Sequence, residues 1–191
     1  MLDVPDQTRF VFPEAPLVVD SGPGRAWWML DMEFFERRAR GEQIDRSNDI
    51  PDSLAERSDQ LAAFVEEVSK QLGVTADRLI IGGFSQGAML ACDYVLRAQH
   101  KPAGLVLFSS TLIAQPRMQP GLANLVGLKV FQSHGQRDAI LPYHDAERLR
   151  ALLQGAGCEL TFVQFPGGHE LPPTVLMGAS QFIRDVLYPA A

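Results

Sequence analysis

Short apolar runs alternate along this chain with longer segments in which apolar residues recur at helical spacing. Apolar runs bounded by turn residues predict buried strands, and such runs occur at 79–82, 105–108, 128–132 and 160–165. An earlier short strand is predicted at Arg9-Phe10-Val11-Phe12, where Pro13 stops it. Strands that alternate with helices are typical of a mostly parallel sheet flanked by helices, so the predicted fold class is α/β.

The spacing of apolar residues also predicts the helices. The first begins at Ser53-Leu54-Ala55-Glu56, which has the spacing of a capping box, and it ends at Gly73. One face of this helix is expected to be buried through Leu54, Leu61, Val65, Val68 and Leu72. Further helices are expected over 86–98, 146–153 and 175–186. The helix over 86–98 is apolar on nearly all sides, which predicts deep burial.

The composition fits a globular protein with one domain over residues 1–191. Lys plus Arg total 17 and Asp plus Glu total 23, which gives a net charge of −6. That balance argues against a nucleic acid partner, which needs a basic surface. No apolar run is long enough to span a bilayer and the first residues do not resemble a signal peptide, so a cytoplasmic location is expected. Cys92, inside an apolar helix, is expected to be a buried thiol, and no disulfide framework is indicated.

The candidate chemistry begins at Gly83-Phe84-Ser85-Gln86-Gly87, between a predicted strand and a predicted helix. This G-x-S-x-G pattern in this position is typical of a nucleophile elbow, where a sharp turn exposes a serine hydroxyl at the edge of a sheet. Side chains at Gly83 and Gly87 are expected to clash with the neighbouring strand and helix. The amide of Gln86, at the start of the helix, is expected to point to where an oxyanion would form.

A serine nucleophile needs a base, and the base needs an orienting acid. In folds with this elbow the partners follow in the order acid and then histidine, on loops after later strands. Asp138 follows the strand that ends near Gln132, and His169 follows the strand that ends at Phe165. Ser85, Asp138 and His169 are therefore the predicted catalytic triad.

The other candidates for the same roles have simpler explanations. His100 lies in a polar connection, His144 begins a helix, and His134 is expected to shape the loop that carries Asp138. Asp145 is the rival acid, but it stands at a helix start, where acidic residues are common. No pair of His, Asp or Glu at helical ligand spacing has a third partner, so neither a metal site nor another cofactor is indicated.

Five stretches together resemble the phospholipase/carboxylesterase family of α/β-hydrolases, which includes the acyl-protein thioesterases. They are Phe12-Pro13-Glu14-Ala15-Pro16, Ala26-Trp27-Trp28, Gly83-Phe84-Ser85-Gln86-Gly87, Ser133-His134-Gly135-Gln136-Arg137-Asp138 and Gly167-Gly168-His169-Glu170. The resemblance covers nearly the whole chain. It implies an α/β-hydrolase fold and hydrolysis of carboxylic esters or thioesters through an acyl-enzyme. It also implies the same triad, with Gln86 as one oxyanion donor.

The sequence departs from the family pattern at its start. In the family a strand that ends in a His-Gly loop precedes the segment matching Arg9-Phe10-Val11-Phe12, and its loop supplies a second oxyanion amide. This chain starts after that strand, so a central strand is expected to be missing. Three explanations are open: a truncated or misassigned start, a short form in which the strand at 9–12 moves beside Leu79, or a catalytically weakened relative.

The expected function is a serine esterase acting on a small-molecule ester or acyl substrate. Trp27, Trp28 and Met29 are expected either to line an acyl pocket or to cover the edge of the sheet. The alternative function is a non-catalytic or weakly active binding or regulatory relative that lacks the oxyanion strand. A cysteine-based or aspartate-based hydrolase is disfavoured because the elbow residue is Ser85. The sequence indicates neither the acyl chain length nor the oligomeric state.

Overall fold

The computed structural model describes residues 2–19, 24–29 and 31–189. Near the start of the chain, β1 (Leu17–Val18) pairs antiparallel with β2 (Arg25–Ala26). The main sheet follows, with four parallel strands in the order in which they occur in the chain. They are β3 (Ile80–Phe84), β4 (Gly104–Phe108), β5 (Lys129–Gly135) and β6 (Glu159–Phe165). The predicted α/β class and parallel sheet are confirmed.

Six α-helices connect or flank these strands in the described residues. They are α1 (Met32–Ala39), α2 (Leu54–Leu72), α3 (Gln86–Arg97), α4 (Gln115–Met118), α5 (Tyr143–Gly155) and α6 (Pro173–Leu187). Two 3₁₀ helices lie at Ala76–Arg78 and Gln119–Leu125. None of the helices in the described ranges is long and apolar enough to cross a lipid bilayer.

Alternation along β4 shows why the sheet is covered on both sides. Leu105 and Leu107 face one side, where they pack with apolar residues of α3 and α5. Val106 and Phe108 face the other side, together with Phe131 and the apolar stripe of α6. Successive side chains of a strand point to opposite faces, so a continuous apolar run is buried on both. The helix predicted at 86–98 is deeply buried as expected, with eight buried residues between Ala88 and Leu96.

Two local predictions are wrong. Residues 9–12 form no strand, because no neighbouring strand in the described residues pairs with them, and Phe12 is 84% exposed. Among the described residues, β3 pairs only with β4, so the explanation in which the strand at 9–12 moves beside Leu79 is not observed. Ser53 precedes α2 but its side chain makes no capping hydrogen bond, because its backbone is already helical.

The buried face of α2 is also shorter than predicted. Leu54 and Leu61 are buried in a cluster with Leu90 of α3, while Val65 is only partly buried. Leu72 is 49% exposed, because it faces the open side of β3 rather than a neighbouring element. Gly73 ends the helix in the left-handed conformation, as predicted.

Candidate active site

Ser85 occupies a strained turn between β3 and α3. Its φ of 56° and ψ of −122° lie in a region that residues other than glycine rarely adopt. The turn is held because the Ser85 amide donates a 2.9 Å hydrogen bond to the carbonyl of Phe108, at the end of β4. The Ser85 carbonyl in turn accepts hydrogen bonds from the amides of Ala88 and Met89 in the first turn of α3. The strand–turn–helix context predicted for the elbow is present.

Of the two glycines that flank Ser85, only Gly83 is required by close packing. A Cβ atom at Gly83 would lie 2.3 Å from the carbonyl carbon of Gly87 and 2.7 Å from the amide nitrogen of Ala88, which are backbone atoms. A Cβ at Gly87 would meet nothing closer than Nε1 of Trp27, at 3.6 Å, which is ordinary contact. The clash expected at Gly87 is therefore wrong, since this position faces the Trp27 ring with room for a methyl group.

Gln86 is the first residue of α3, where backbone amides have no acceptor within the helix. An oxyanion beside this amide would be stabilised by the hydrogen bond and by the positive end of the helix dipole. The predicted donor therefore stands next to the candidate nucleophile.

Asp138 and His169 are brought together from the loops that follow β5 and β6. His169 Nδ1 lies 2.7 Å from Asp138 Oδ2. The other carboxylate oxygen, Oδ1, accepts hydrogen bonds from the amides of Ile140 at 2.9 Å and Leu141 at 2.8 Å. Because an ionised carboxylate only accepts, Nδ1 of His169 donates and Nε2 is left as the basic nitrogen.

The charge of Asp138 is maintained although the side chain is fully buried. Burial alone raises the pKa of a carboxyl group, but hydrogen bonds from His169 and the Leu141 amide outweigh it, and the pKa of Asp138 is lowered. Asp138 is therefore ionised at neutral pH, as an orienting acid must be.

His134 contacts both Asp138 and the backbone of the loop that carries it. Its Nε2 donates to the carbonyl of Leu141 at 2.9 Å and lies 3.4 Å from Asp138 Oδ2. Burial lowers the pKa of His134, so the ring is neutral at neutral pH. The expected role of His134 in shaping the loop that carries Asp138 fits these contacts.

The loop that carries Asp138 is bound directly to the loop that carries His169. The amide of Gln136 donates to the Phe165 carbonyl at 2.8 Å, and the amide of Arg137 donates to the Gly167 carbonyl at 2.9 Å. The two loops approach so closely that a Cβ at Gly135 would lie 2.2 Å from the carbonyl oxygen of Gly168. The absence of a side chain at Gly135 is what permits this approach.

The His169 ring extends back across the sheet toward β3. It packs against the ring of Phe84, the residue before Ser85, with ring centroids 4.6 Å apart. None of the hydrogen bonds among the described residues joins the Ser85 hydroxyl to the His169 ring. Catalytic hydrogen bonds of this kind often tighten only when substrate binds.

Two cavities meet at Ser85 and Gln86. The first, here called the Trp28 cavity, has a volume of about 510 Å³ and includes Trp28, Met29, Phe34, Leu112 and Ile113 in its wall. The second, here called the β3 groove, has a volume of about 540 Å³ and runs along the unpaired side of β3. Its wall includes Arg9, Phe12, Trp27, Val65 and Leu72.

The structure separates the three residues predicted to bind substrate. Trp28 and Met29 line the Trp28 cavity with Ser85, and Met29 is 77% exposed. Trp27 lines the β3 groove instead. Both tryptophans also pack against the cluster formed by α2 and α3.

Sequence reasoning missed two side chains that hold this segment. The side-chain amide of Gln86 bonds to the backbone of Trp27 and Trp28, and Arg57 donates to the Trp27 carbonyl. The sequence motif points only to the backbone amide of Gln86. Neither side-chain contact leaves a local pattern in the sequence, because each joins residues far apart in the chain.

The rival residues have other partners. The Asp145 carboxylate contacts His144 at 3.1 Å and Arg148 at 3.4 Å, and burial raises its pKa. His100 is exposed on the loop before β4. His169 differs from these residues because its ring both bonds to Asp138 and packs against Phe84, next to Ser85.

Comparison with known proteins agrees with this architecture. The family described as Phospholipase/Carboxylesterase matches residues 3–187. Acyl-protein thioesterase 1 of Neurospora crassa is 30% identical over 196 residues, which cover 95% of this chain and 75% of the relative. Acyl-protein thioesterase 1 of Debaryomyces hansenii is 30% identical over 189 residues, which cover 95% of this chain and 78% of the relative.

Solved structures of esterases have the same fold. The crystal structure of esterase PE8 superimposes with a TM-score of 0.75 and 26% identity, and the match covers 92% of this chain and 77% of that one. The carboxylesterase of Bacillus cereus superimposes with a TM-score of 0.64 and 27% identity, over 73% of this chain and 65% of that one. The predicted α/β-hydrolase fold is confirmed.

Proposed function

This chain belongs to the phospholipase/carboxylesterase family, and we propose that it cleaves acyl esters or thioesters through a covalent acyl-enzyme on Ser85. Its relatives include an acyl-protein thioesterase and an esterase, so the chain is a hydrolase of the esterase type. The proposal assigns the chemistry to Ser85, with His169 as base and Asp138 as orienting acid. The observation that carries it is the 2.7 Å hydrogen bond between His169 Nδ1 and Asp138 Oδ2, beside a serine in a strained elbow.

In the acylation half, His169 Nε2 takes the proton of the Ser85 hydroxyl as its oxygen attacks the acyl carbonyl carbon. The carbonyl oxygen becomes an oxyanion, and the Gln86 amide donates to it. The carbonyl re-forms as the bond to the leaving alcohol or thiol breaks, and His169 gives its proton to that group. Asp138 stabilises the imidazolium that exists between the two transfers.

In the deacylation half, water attacks the acyl carbon and gives its proton to His169 Nε2. The bond to Ser85 then breaks, the serine oxygen takes the proton back from His169, and the carboxylic acid leaves. Each catalytic group ends in its starting protonation state, so the cycle needs no co-reactant beyond water.

The apolar residues of the Trp28 cavity favour an acyl chain as the part of the substrate held beside Ser85. Both relatives compared above carry the name acyl-protein thioesterase 1, so we propose that a thioester-linked acyl group on a protein is within the substrate class. The carboxylesterase among the structural relatives supports simple esters as assay substrates.

A cytoplasmic location is part of the proposal. Cys92 and Cys158 are both free, which is typical of proteins from reducing compartments. Burial raises the pKa of Cys158 to about 11, so its thiol is protonated and unreactive at neutral pH. Cell fractionation with detection of the untagged protein tests this location, and recovery in a secreted fraction would contradict it.

Labelling with a fluorophosphonate tests the proposed nucleophile. Wild-type protein is expected to be labelled at Ser85, and Ser85→Ala is expected to lose the label and about 10⁴-fold or more of its turnover of p-nitrophenyl butyrate. Label or turnover that persists in Ser85→Ala would overturn the assignment.

Ser58→Ala is the matched control for this experiment. Ser58 lies on α2, lines neither cavity at Ser85, and its hydroxyl makes no hydrogen bond within the described residues. The same exchange at this position therefore removes no contact of the site, and alanine also suits a helix interior. Labelling and turnover of Ser58→Ala are expected to equal those of wild type.

A further inference from the structure

We propose that the side chains of Gln86 and Arg57 clamp residues 24–29 as a fixed wall of the Trp28 cavity, and that this wall determines the preferred acyl chain length. The proposal rests on the hydrolase function given above. It makes Gln86 and Arg57 positioning residues, because their side chains act through Trp28 and Met29 rather than on the reacting atoms.

The side-chain amide of Gln86 makes two hydrogen bonds to the backbone of this segment. Its Oε1 accepts a 3.0 Å hydrogen bond from the Trp27 amide, and its Nε2 donates a 3.1 Å hydrogen bond to the Trp28 carbonyl. Both ends of the side-chain amide are thus committed to the backbone of two consecutive residues. A pair of such bonds fixes orientation as well as distance, since both must be satisfied at once.

Arg57 holds the same segment from α2. Its Nε donates a 3.2 Å hydrogen bond to the Trp27 carbonyl. Its Nη1 donates to Glu56 and Gln60, each at 2.9 Å, and these bonds keep the guanidinium in place. The Arg57 side chain is only 13% exposed and its bond to the Trp27 carbonyl is partly buried, which strengthens that bond relative to one at the surface. The segment is therefore attached to two helices at adjacent residues.

The clamped segment has little regular structure of its own. Its one strand, β2, has two residues and pairs only with the two residues of β1 in the described chain. The rings of Trp27 and Trp28 pack on the cluster that includes Leu54, Leu61 and Leu90. Packing alone allows an aromatic ring to slide over an apolar surface, whereas the hydrogen bonds from Gln86 and Arg57 fix its position.

The wall lies beside Ser85, where it can affect the preference for acyl chain length. Trp28 and Met29 line the same cavity as Ser85, and the Gln86 amide is the proposed oxyanion donor. An acetyl group ends next to its carbonyl carbon, whereas an octanoyl chain extends into the cavity and contacts the wall. A wall held by Gln86 is therefore aligned with the oxyanion site. Long acyl chains contact this wall and gain more binding energy from it than short ones.

Tryptophan fluorescence tests the clamp directly. The chain has 2 tryptophans, and both lie in the clamped segment. Gln86→Met keeps the side-chain length and removes both hydrogen bonds, so its emission is expected to shift to longer wavelength and to be quenched more strongly by acrylamide. Gln71→Met makes the same change at an exposed site on α2 and is expected to match wild type. Emission and quenching in Gln86→Met equal to wild type would overturn the clamp.

Chain-length profiles test the specificity role. For Gln86→Met and Arg57→Met, the ratio of kcat/KM on p-nitrophenyl octanoate to that on p-nitrophenyl acetate is expected to fall about tenfold. Gln86→Glu retains the acceptor for the Trp27 amide and is expected to recover part of this ratio. Rates are referred to active sites titrated with a fluorophosphonate, so that misfolded protein does not contribute. Equal losses on both esters would overturn the specificity role.

The two kinds of measurement also distinguish failure of the clamp from failure of the hydrolase function on which the chain-length role rests. Wild-type protein that is neither labelled at Ser85 nor active on either ester would overturn the proposed hydrolase chemistry and the chain-length role with it. The emission of Gln86→Met requires no turnover, so it decides in either case whether the clamp exists.

Discussion

Asp138 Oδ2 and His169 Nδ1 are 2.7 Å apart, although 31 positions separate the two residues in the chain. Two parallel strands that end at the same edge bring their loops together, and backbone bonds from Gln136 and Arg137 to the loop after β6 fix the approach. The carboxylate is held independently of the histidine by the amides of Ile140 and Leu141. The pair is therefore preorganised by the fold.

Asp138→Asn is predicted to lower kcat on p-nitrophenyl butyrate by about 10⁴-fold, because an amide in this position favours the wrong histidine tautomer. KM is expected to change little, since Asp138 does not line either cavity. Asp185→Asn, an exposed position on α6 bonded to Gln181, is the control. A loss in Asp138→Asn no larger than in this control would contradict the role of Asp138.

Gly83→Ala is predicted to destabilise the protein by about 3 kcal/mol, because α3 must move away from the new methyl group. The obstructing atoms belong to the backbone of Gly87 and Ala88, which cannot rotate aside. Gly87→Ala meets only ordinary contact and replaces glycine inside a helix, so its stability is expected to equal or exceed that of wild type. Urea unfolding curves measure both, and similar midpoints for the two variants would contradict the steric argument.

Gly135→Ala is predicted to push the His169 loop away from β5, because its methyl group would lie 2.2 Å from the carbonyl oxygen of Gly168. The expected result is a loss of kcat of about 10²-fold or more from misplacement of the histidine. Gly155→Ala is the matched control, since a Cβ there meets nothing within 4 Å. Full activity in Gly135→Ala would show that the two loops can separate without moving His169.

Acidification below neutral pH is predicted to destabilise the fold through His134. Its pKa is lowered from the usual 6.5 by burial, so the unfolded chain binds more protons than the folded one as pH falls below that value. The contribution of neutral His134 to the free energy of unfolding is therefore full above pH 6.5. It is lost as the pH falls toward the pKa of His134 in the folded protein. Asp138, with its pKa lowered from 3.8, adds a second loss that begins at lower pH.

Urea unfolding at a series of pH values measures this dependence. His134→Gln is expected to flatten the decline between about pH 7 and about 5, where an ordinary histidine titrates. His100→Gln, at an exposed position, is expected to leave the decline unchanged. An unaltered slope in His134→Gln would assign the decline to another group.

The elbow at Ser85 and the loops that carry Asp138 and His169 could be located from sequence because each follows a strand with a continuous apolar run. Those runs are buried on both faces of the sheet, so their pattern is strong, and the loops after them are constrained to one edge. The close packing at Gly83 is predictable as well, since its environment is set by the local strand–helix turn. The surroundings of Gly87 are not, because they depend on Trp27, which lies 60 positions earlier in the sequence.

The segments before α2 could not be predicted in the same way. The run at 9–12 has the composition of a strand but no partner in the described residues, and a strand exists only when its backbone is paired. Helix α1 lies among mixed aromatic and charged residues, and its start is fixed by Asp31, whose side chain accepts from the Phe34 amide at 2.9 Å. The contacts of Gln86 and Arg57 join segments that are distant in the chain, so no local sequence pattern predicts them.

The meeting of two cavities at Ser85 bears on how reaction products leave. The Trp28 cavity and the β3 groove share Ser85 and Gln86, and their other lining residues come from different segments of the chain. With Ser85 as the proposed nucleophile, the acyl half and the leaving-group half of a substrate each have a cavity available. In the proposed mechanism the alcohol or thiol leaves first, so it has an exit that the acyl group, still attached to Ser85, does not obstruct.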